Sequence, residues 1–410
     1  MKRLKGVFFL LIILLLLEVA KALLTKRPFE GSYFLSMVIM CLQFFLLLGS
    51  ILYVIMNKLV FRKFPSRRNR IFSLISVLGI FILLELLFGY WLNNPQHIPR
   101  MLQWSYYYYY DYYDTRLIQY EKGKAVYDSA LFYRLNPNHH FRYRNREFDT
   151  DFHINSKGLR DNESSLTAPE VIVLGDSYVM GWGVEEPETI SKQLEKVSGL
   201  RVLNAGISSY GTARELKLLN QLDVSQLKFV IIPYCMNDII ENRASKKNQY
   251  HLPVSSNNAF DSLQASHGFV RRYFPGKYFL TIGQSFVKHE INKIYPLFKL
   301  RLDRLTPFRN EKEHAVEFLD VLSNTDVKWG NAKIIVTMMG TYPDLKSNFL
   351  KDVQTISQQE PYKSRFDGRL FTVPIEAGLG PGDFFFLDLH IRPSGHKKMA
   401  HNLWEEIRKY

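Results

Sequence analysis

The sequence predicts an α/β domain built on a mainly parallel sheet, preceded by an all-α membrane segment. Three observations carry that reading. Short apolar runs of β-forming residues alternate with amphipathic stretches from about residue 170 onward. Strands alternating with helices imply a parallel sheet covered on both faces. Three long apolar runs open the chain, and most of its excess positive charge flanks them. The 410 residues are 47% hydrophobic and 22% charged. That balance excludes disordered and collagen-like classes and allows two or three units.

The apolar runs cover 7–24, interrupted by Glu18 and Lys21, then 34–57, then 71–92, interrupted by Glu85. Eighteen helical residues span about 27 Å, close to a hydrocarbon core of about 30 Å. Backbone groups in lipid must pair internally, so residues 1–93 read as three transmembrane helices. The first 93 residues carry a net +9 and the remaining 317 only +5. This distribution suits membrane orientation and argues against a nucleic-acid partner. The second loop holds Lys58, Arg62, Lys63, Arg67, Arg68 and Arg70 without an acid. With that loop in the cytoplasm, the N-terminus is inside, and everything beyond Leu92 is periplasmic or extracellular. A rival reading takes the first run as a signal peptide cleaved near Ala20-Lys21-Ala22; the C-terminal side is external in both. Acids at membrane depth invite a functional role. The simpler roles are a pair between Glu18 and Lys21 and a hydrogen bond between Glu85 and a neighbouring helix.

Residues 94–130 include the tyrosine-rich run Trp104 to Tyr113 and read as an interfacial linker, rings toward lipid and hydroxyls toward water. The globular domain is expected over 131–410. Its strands are Glu170–Leu174, Arg201–Leu203, Lys228–Tyr234, Lys333–Met339 and Arg369–Val373. Its helices are Glu186–Val197, Thr212–Leu222 and Ser394–Arg408, the last opened by Pro393-Ser394. The stretch 240–330 breaks this rhythm and reads as a helical insertion. Within it, 271–309 is net +7, a candidate surface for an anionic glycan or a membrane, or a solvated helix face. Two cysteines, Cys41 and Cys235, make neither a disulfide framework nor a multi-cysteine zinc site.

Parallel sheets keep their sites at the carboxyl ends of the strands. The first strand runs into Gly175-Asp176-Ser177-Tyr178, a serine set up as an exposed nucleophile. It is not the Gly-x-Ser-x-Gly elbow, since Val179 stands at the second glycine position, and the glycines do not space as a dinucleotide or phosphate loop. The second strand leads into Asn204 to Thr212, the third into Cys235-Met236-Asn237-Asp238, and the fifth toward Asp388-Leu389-His390. A serine needs a base, which histidine supplies near neutral pH. A tetrahedral intermediate needs donors, which backbone N–H groups and an Asn amide supply. An acid beside the histidine sets its tautomer. Asp176 is expected to brace the nucleophile turn, and His396 and His401 to pack or face solvent. His139, His140 and His153 show no metal-ligand pattern.

These four ordered blocks resemble the SGNH/GDSL hydrolase family, esterases and acyltransferases on a three-layer flavodoxin-like fold; the likeness covers about 131–410. It implies Ser177 as nucleophile, His390 as general base and Asn237 as a side-chain oxyanion donor. The N–H groups of Ser177 and of the second block would complete the hole. Many members carry glycine where this chain has Ser209, so Ser209 serves if the backbone tolerates it, with Gly206 as fallback. Cys235 replaces a glycine two before the Asn. The usual acid position is Leu387, so Asp388 must serve, with Asp383 the nearest substitute. Lys157 to Asp161 resembles the segment before the nucleophile strand in membrane-anchored members, and Arg160 there is expected to pair structurally. The resemblance implies no cofactor or metal. It implies a membrane-anchored serine esterase acting on an O-acyl, foremost acetyl, ester of an envelope or extracellular glycan or lipid. The alternatives are an O-acyltransferase working with a multi-spanning membrane partner, or a non-catalytic glycan-binding or scaffold module.

Overall fold

A computed structural model describes residues 67–114, 116–294, 311–340, 347–386 and 389–410, with a few single positions before them. The runs 7–24 and 34–57, with Glu18, otherwise lie outside the described residues, as does Asp388. Along the chain come α1 (Arg67–Asn93), α2 (Gln103–Tyr109), two hairpins of β1 (Ala125–Asp128) with β2 (Phe132–Leu135) and β3 (His140–Arg144) with β4 (Asp149–His153), and then β5 (Val171–Gly175). Next are α3 (Ser177–Met180), α4 (Ile190–Ser198), β6 (Val202–Gly206), α5 (Thr212–Leu219), β7 (Phe229–Tyr234) and α6 (Asp238–Lys247). After these follow α7 (Asn257–Val270), α8 (Lys277–Ile294), α9 (Glu311–Asn324), β8 (Lys333–Met338), α10 (Phe349–Ser357), α11 (Tyr362–Phe366), β9 (Leu370–Thr372) and α12 (Pro393–Ile407).

Two compact units divide the chain: Met1–Arg116 with Asp261–Arg304, and Leu117–Phe260 with Leu305–Tyr410. This grouping differs from the sequence reading, which makes 94–130 a linker and joins 271–309 to the globular domain. Helical periodicity says what a segment forms, not which unit it packs on.

In the first unit, Ile75–Asn93 is the one stretch among the described residues long and apolar enough to cross a membrane. Its Ile82, Leu83 and Leu86 are 61–66% exposed, an apolar face suited to lipid. The Glu85 carboxylate accepts the N–H groups of Tyr278 at 3.2 Å and Phe279 at 2.8 Å. It thereby caps the first turn of α8, where helix N–H groups lack internal partners. This is the simpler role expected of Glu85. Tyr106, Tyr109 and Tyr113 bury their rings, with Tyr109 against Tyr278 at 5.9 Å between centroids.

In the second unit, five parallel strands stand in the order β6-β5-β7-β8-β9. In order of appearance that is 2-1-3-4-5, the flavodoxin-like winding of an α/β domain. Alternate side chains serve opposite faces, as strand geometry requires. Val171, Val173, Ile231 and Ile335 pack with α4 and α12 through Ile190, Leu194, Met399 and Leu403. Tyr234 lies on the other face, stacked on Phe349 of α10 at 4.1 Å and against Phe318 of α9. All five residues of β5 and of β6 are buried, which explains why β5 reads as a continuous apolar run and β6 as one broken only by the buried Asn204.

Candidate active site

The strand order reverses between β5 and β7, and the crevice at the carboxyl end of such a switch point is where ligands bind in open α/β sheets. Ser177 follows β5 and Asn237 follows β7. Gly175 turns the chain from strand to α3 at φ +143°, and a Cβ there would lie 2.4 Å from Val179. Asp176 caps α3 by accepting the N–H of Tyr178 at 2.9 Å, the bracing role expected of it. Burial raises the Asp176 carboxyl above its usual range, against hydrogen bonds from Tyr178, Cys235 and Asn237 and the field of His390.

The turn beyond α3 is held by Arg160, which is fully buried. Its guanidinium donates to the carbonyls of Met180, Gly181, Asp151 and Val184 and lies 3.8 Å over the Phe152 ring. The sequence reading expects Arg160 to pair structurally; the partners that hold it are carbonyls. Burial lowers its pKa to about 10, which leaves it charged at neutral pH.

His390 arrives on a small hairpin. Phe384 and Ile391 bridge antiparallel, and the N–H of Phe385 donates to the carbonyl of His390 at 2.7 Å. His390 Nε2 stands 2.8 Å from Ser177 Oγ, both side chains half-buried. The Tyr178 ring stacks on the imidazole at 4.6 Å. That contact has no signal in the sequence beyond an aromatic next to the serine. Asp383 is engaged elsewhere: it accepts from Ser394 at 2.7 Å and pairs with Lys398 at 2.7 Å, holding the start of α12.

His396 is buried and accepts the N–H of Ile190 at 3.2 Å, a packing role, while His401 is exposed. Burial, with the nearby Arg160 and His390, lowers the His396 pKa to about 3. Its unfolded value is about 6.5. The folded state therefore refuses a proton that the unfolded state takes. Stability from this group is full above pH about 6.5 and falls toward pH 3, by about 1.4 kcal/mol per pH unit. His396→Asn keeps an acceptor for Ile190 without a titrating ring. It is expected to flatten the decline of urea-melt stability between pH 6.5 and 4 by one proton's worth. An unchanged slope would assign that loss to other groups.

The residues expected to form the oxyanion side stand at the ends of β6 and β7. The Gly206 N–H goes to Asn204 Oδ1 at 3.0 Å, so the fallback donor is already engaged. Asn204 Nδ2 in turn donates to Val179 O at 3.1 Å. A Cβ at Gly206 would lie 2.3 Å from Met180 N, so only glycine lets β6 approach α3 this closely. Ser209 adopts φ +61°, the left-handed conformation that explains why glycine suits this position. Among the described residues nothing accepts the N–H of Ser177 or of Ser209. Asn237 is exposed at the start of α6. Asp238, behind it, accepts Thr212 Oγ1 at 3.0 Å and so ties the Asn237 turn to the start of α5. Burial, followed by the charge of Asp176, pushes the Asp238 carboxyl well up, and burial next to Asp238 does the same to Glu215. Cys235 is buried in the core, as a small residue there should be. A serine hydroxyl on an imidazole nitrogen, flanked by open N–H donors and an amide, is an arrangement suited to nucleophilic acyl transfer.

No family model matches the chain, and no curated protein matches it. Among solved structures 21 chains match. One is a protein assigned to the lipolytic G-D-S-L family from Desulfitobacterium hafniense DCB-2, with 14% sequence identity and a TM-score of 0.29. The match covers 57% of this chain and 97% of that one.

Proposed function

We propose that the sheet domain is an SGNH-type serine esterase held at the external face of a membrane, acting on an O-acyl ester of an envelope or extracellular glycan or lipid. The observation that carries this reading is the 2.8 Å contact between Ser177 Oγ and His390 Nε2. Ser177 attacks the acyl carbonyl as His390 takes its proton; His390 then protonates the leaving alcohol. The N–H groups of Ser177 and Ser209 and the amide of Asn237 receive the oxyanion. Water, activated by His390, releases the acyl group and regenerates the serine. Asp388 is assigned the orientation of the imidazole. The apolar helix Ile75–Asn93 supports an anchored enzyme, and the basic loop before it supports an external domain.

A membrane-impermeant fluorophosphonate added to right-side-out vesicles tests chemistry and orientation together. The expected result is labelling of the wild type at Ser177, absent in Ser177→Ala. Labelling only after lysis would overturn the external orientation. No labelling and no acetyl-ester turnover in any preparation would overturn the enzyme in favour of a binding module. Turnover that stays slow until a sugar acceptor is added would replace hydrolysis by transfer.

A further inference from the structure

We propose that Gln119 is a positioning residue for the oxyanion donor at Ser209, so that a segment outside the expected 131–410 domain completes the active site; this rests on the esterase reading above. Ser209 is a non-glycine residue in the left-handed region, a conformation that residues with a Cβ rarely adopt. Such a residue persists where its surroundings over-determine it. The surroundings here come from 117–135. Gln119, 1% exposed and set on the turn Ile118–Tyr120, donates from Nε2 to Ser209 Oγ at 2.9 Å. Tyr133 of β2 donates its hydroxyl to the Ser208 carbonyl at 2.7 Å. Tyr210, the next residue of the turn, returns its own hydroxyl to the Tyr133 carbonyl.

The peptide plane explains why this matters. The Ser208 carbonyl and the Ser209 N–H belong to one rigid planar unit and point in opposite directions. Tyr133 holds the carbonyl end, and Gln119 holds the side chain just beyond the N–H end. Together they aim the Ser209 N–H. A glycine at 209 would present the same N–H but no oxygen for Gln119 to hold. The serine therefore goes with its buried amide partner.

The test is a double-mutant cycle on the full chain in detergent, with p-nitrophenyl acetate as probe. Gln119→Met keeps the side chain's bulk and removes the donor; Ser209→Ala removes the acceptor. Each is expected to lower kcat about 10- to 100-fold, less than losing a donor outright, with KM shifted less than about threefold. The double variant is expected to be no slower than the slower single. In a Ser209→Gly background, Gln119→Met is expected to cost nothing further. Losses that multiply, or a fall in melting temperature with kcat unchanged, would make Gln119 a packing residue and overturn the proposal. If Gln119→Met does not fold, Tyr133→Phe releases the other end of the same peptide plane and is held to the same kcat loss. Wild-type turnover that depends on Ser177 is the internal control. Its absence overturns the esterase reading and the positioning role with it; its presence with multiplying losses overturns the positioning role alone.

Discussion

Ser177→Ala and His390→Ala are each expected to lower ester turnover by about 10⁵–10⁶, and the double variant to be little worse than either. The reason is geometric. Ser177 Oγ and His390 Nε2 share one 2.8 Å contact, so removing either end removes the same proton transfer. A small rate above water should survive in both, from the oxyanion donors and binding. Asp388→Asn is expected to be milder than loss of the nucleophile, since it affects only the orientation and charge stabilisation of the imidazole. Steady-state kinetics on an acetyl ester decide the case. Single losses that multiply in the double variant would mean that serine and histidine act independently. An Asp388→Asn enzyme with wild-type rates would move the orienting acid elsewhere; Asp383 is a poor substitute, being tied to Lys398 and Ser394.

The second large effect is at Asn237. Asn237→Ala should lower kcat by about 10²–10³ with KM nearly unchanged, the loss expected of one oxyanion donor. The amide has two N–H donors. Either is chemically able to serve the oxyanion. Because Asn237 is exposed and Asp238 holds the turn through Thr212, the substitution should spare the fold. A folded Asn237→Ala protein with wild-type kcat would leave Asn237 a structural cap of α6.

The central sheet is legible in the sequence because its strands are buried on both faces. Val171 to Gly175 and Phe229 to Tyr234 are near-continuous apolar runs, and buried parallel strands look like that. Ser177 and Asn237 are legible because each stands just past such a run, whereas His390 lies well beyond β9 and is legible through the Asp388-Leu389-His390 pattern. The sequence reading assigns no strand within 125–153, where the hairpin strands are only four or five residues long. A signal was present: His140 to Arg144 alternates exposed and buried along the strand. Gln119 leaves no trace, since a lone glutamine in a tyrosine-rich stretch has no pattern around it. The carbonyl clamp of Arg160 is hidden for a related reason. Its acceptors are backbone oxygens, which every residue carries, so no side-chain type announces them. The boundary near Arg116 is equally silent, because grouping depends on packing between segments far apart in the chain.

Ser177 and His390 are 213 residues apart. At a synthesis rate of about 5–20 residues per second, the histidine is made roughly 10–40 s after the serine. Strands β5, β6 and β7 are complete early in that interval, so the nucleophile turn has time to form on a partial sheet. It has no base until the hairpin carrying His390 docks. Under the proposed external orientation the chain would cross the membrane before its site is assembled, and serine reactivity is expected only when tertiary closure is nearly finished. Nascent-chain assays arrested at successive lengths should find phosphonate reactivity appearing in one step, after His390 clears the translocation machinery.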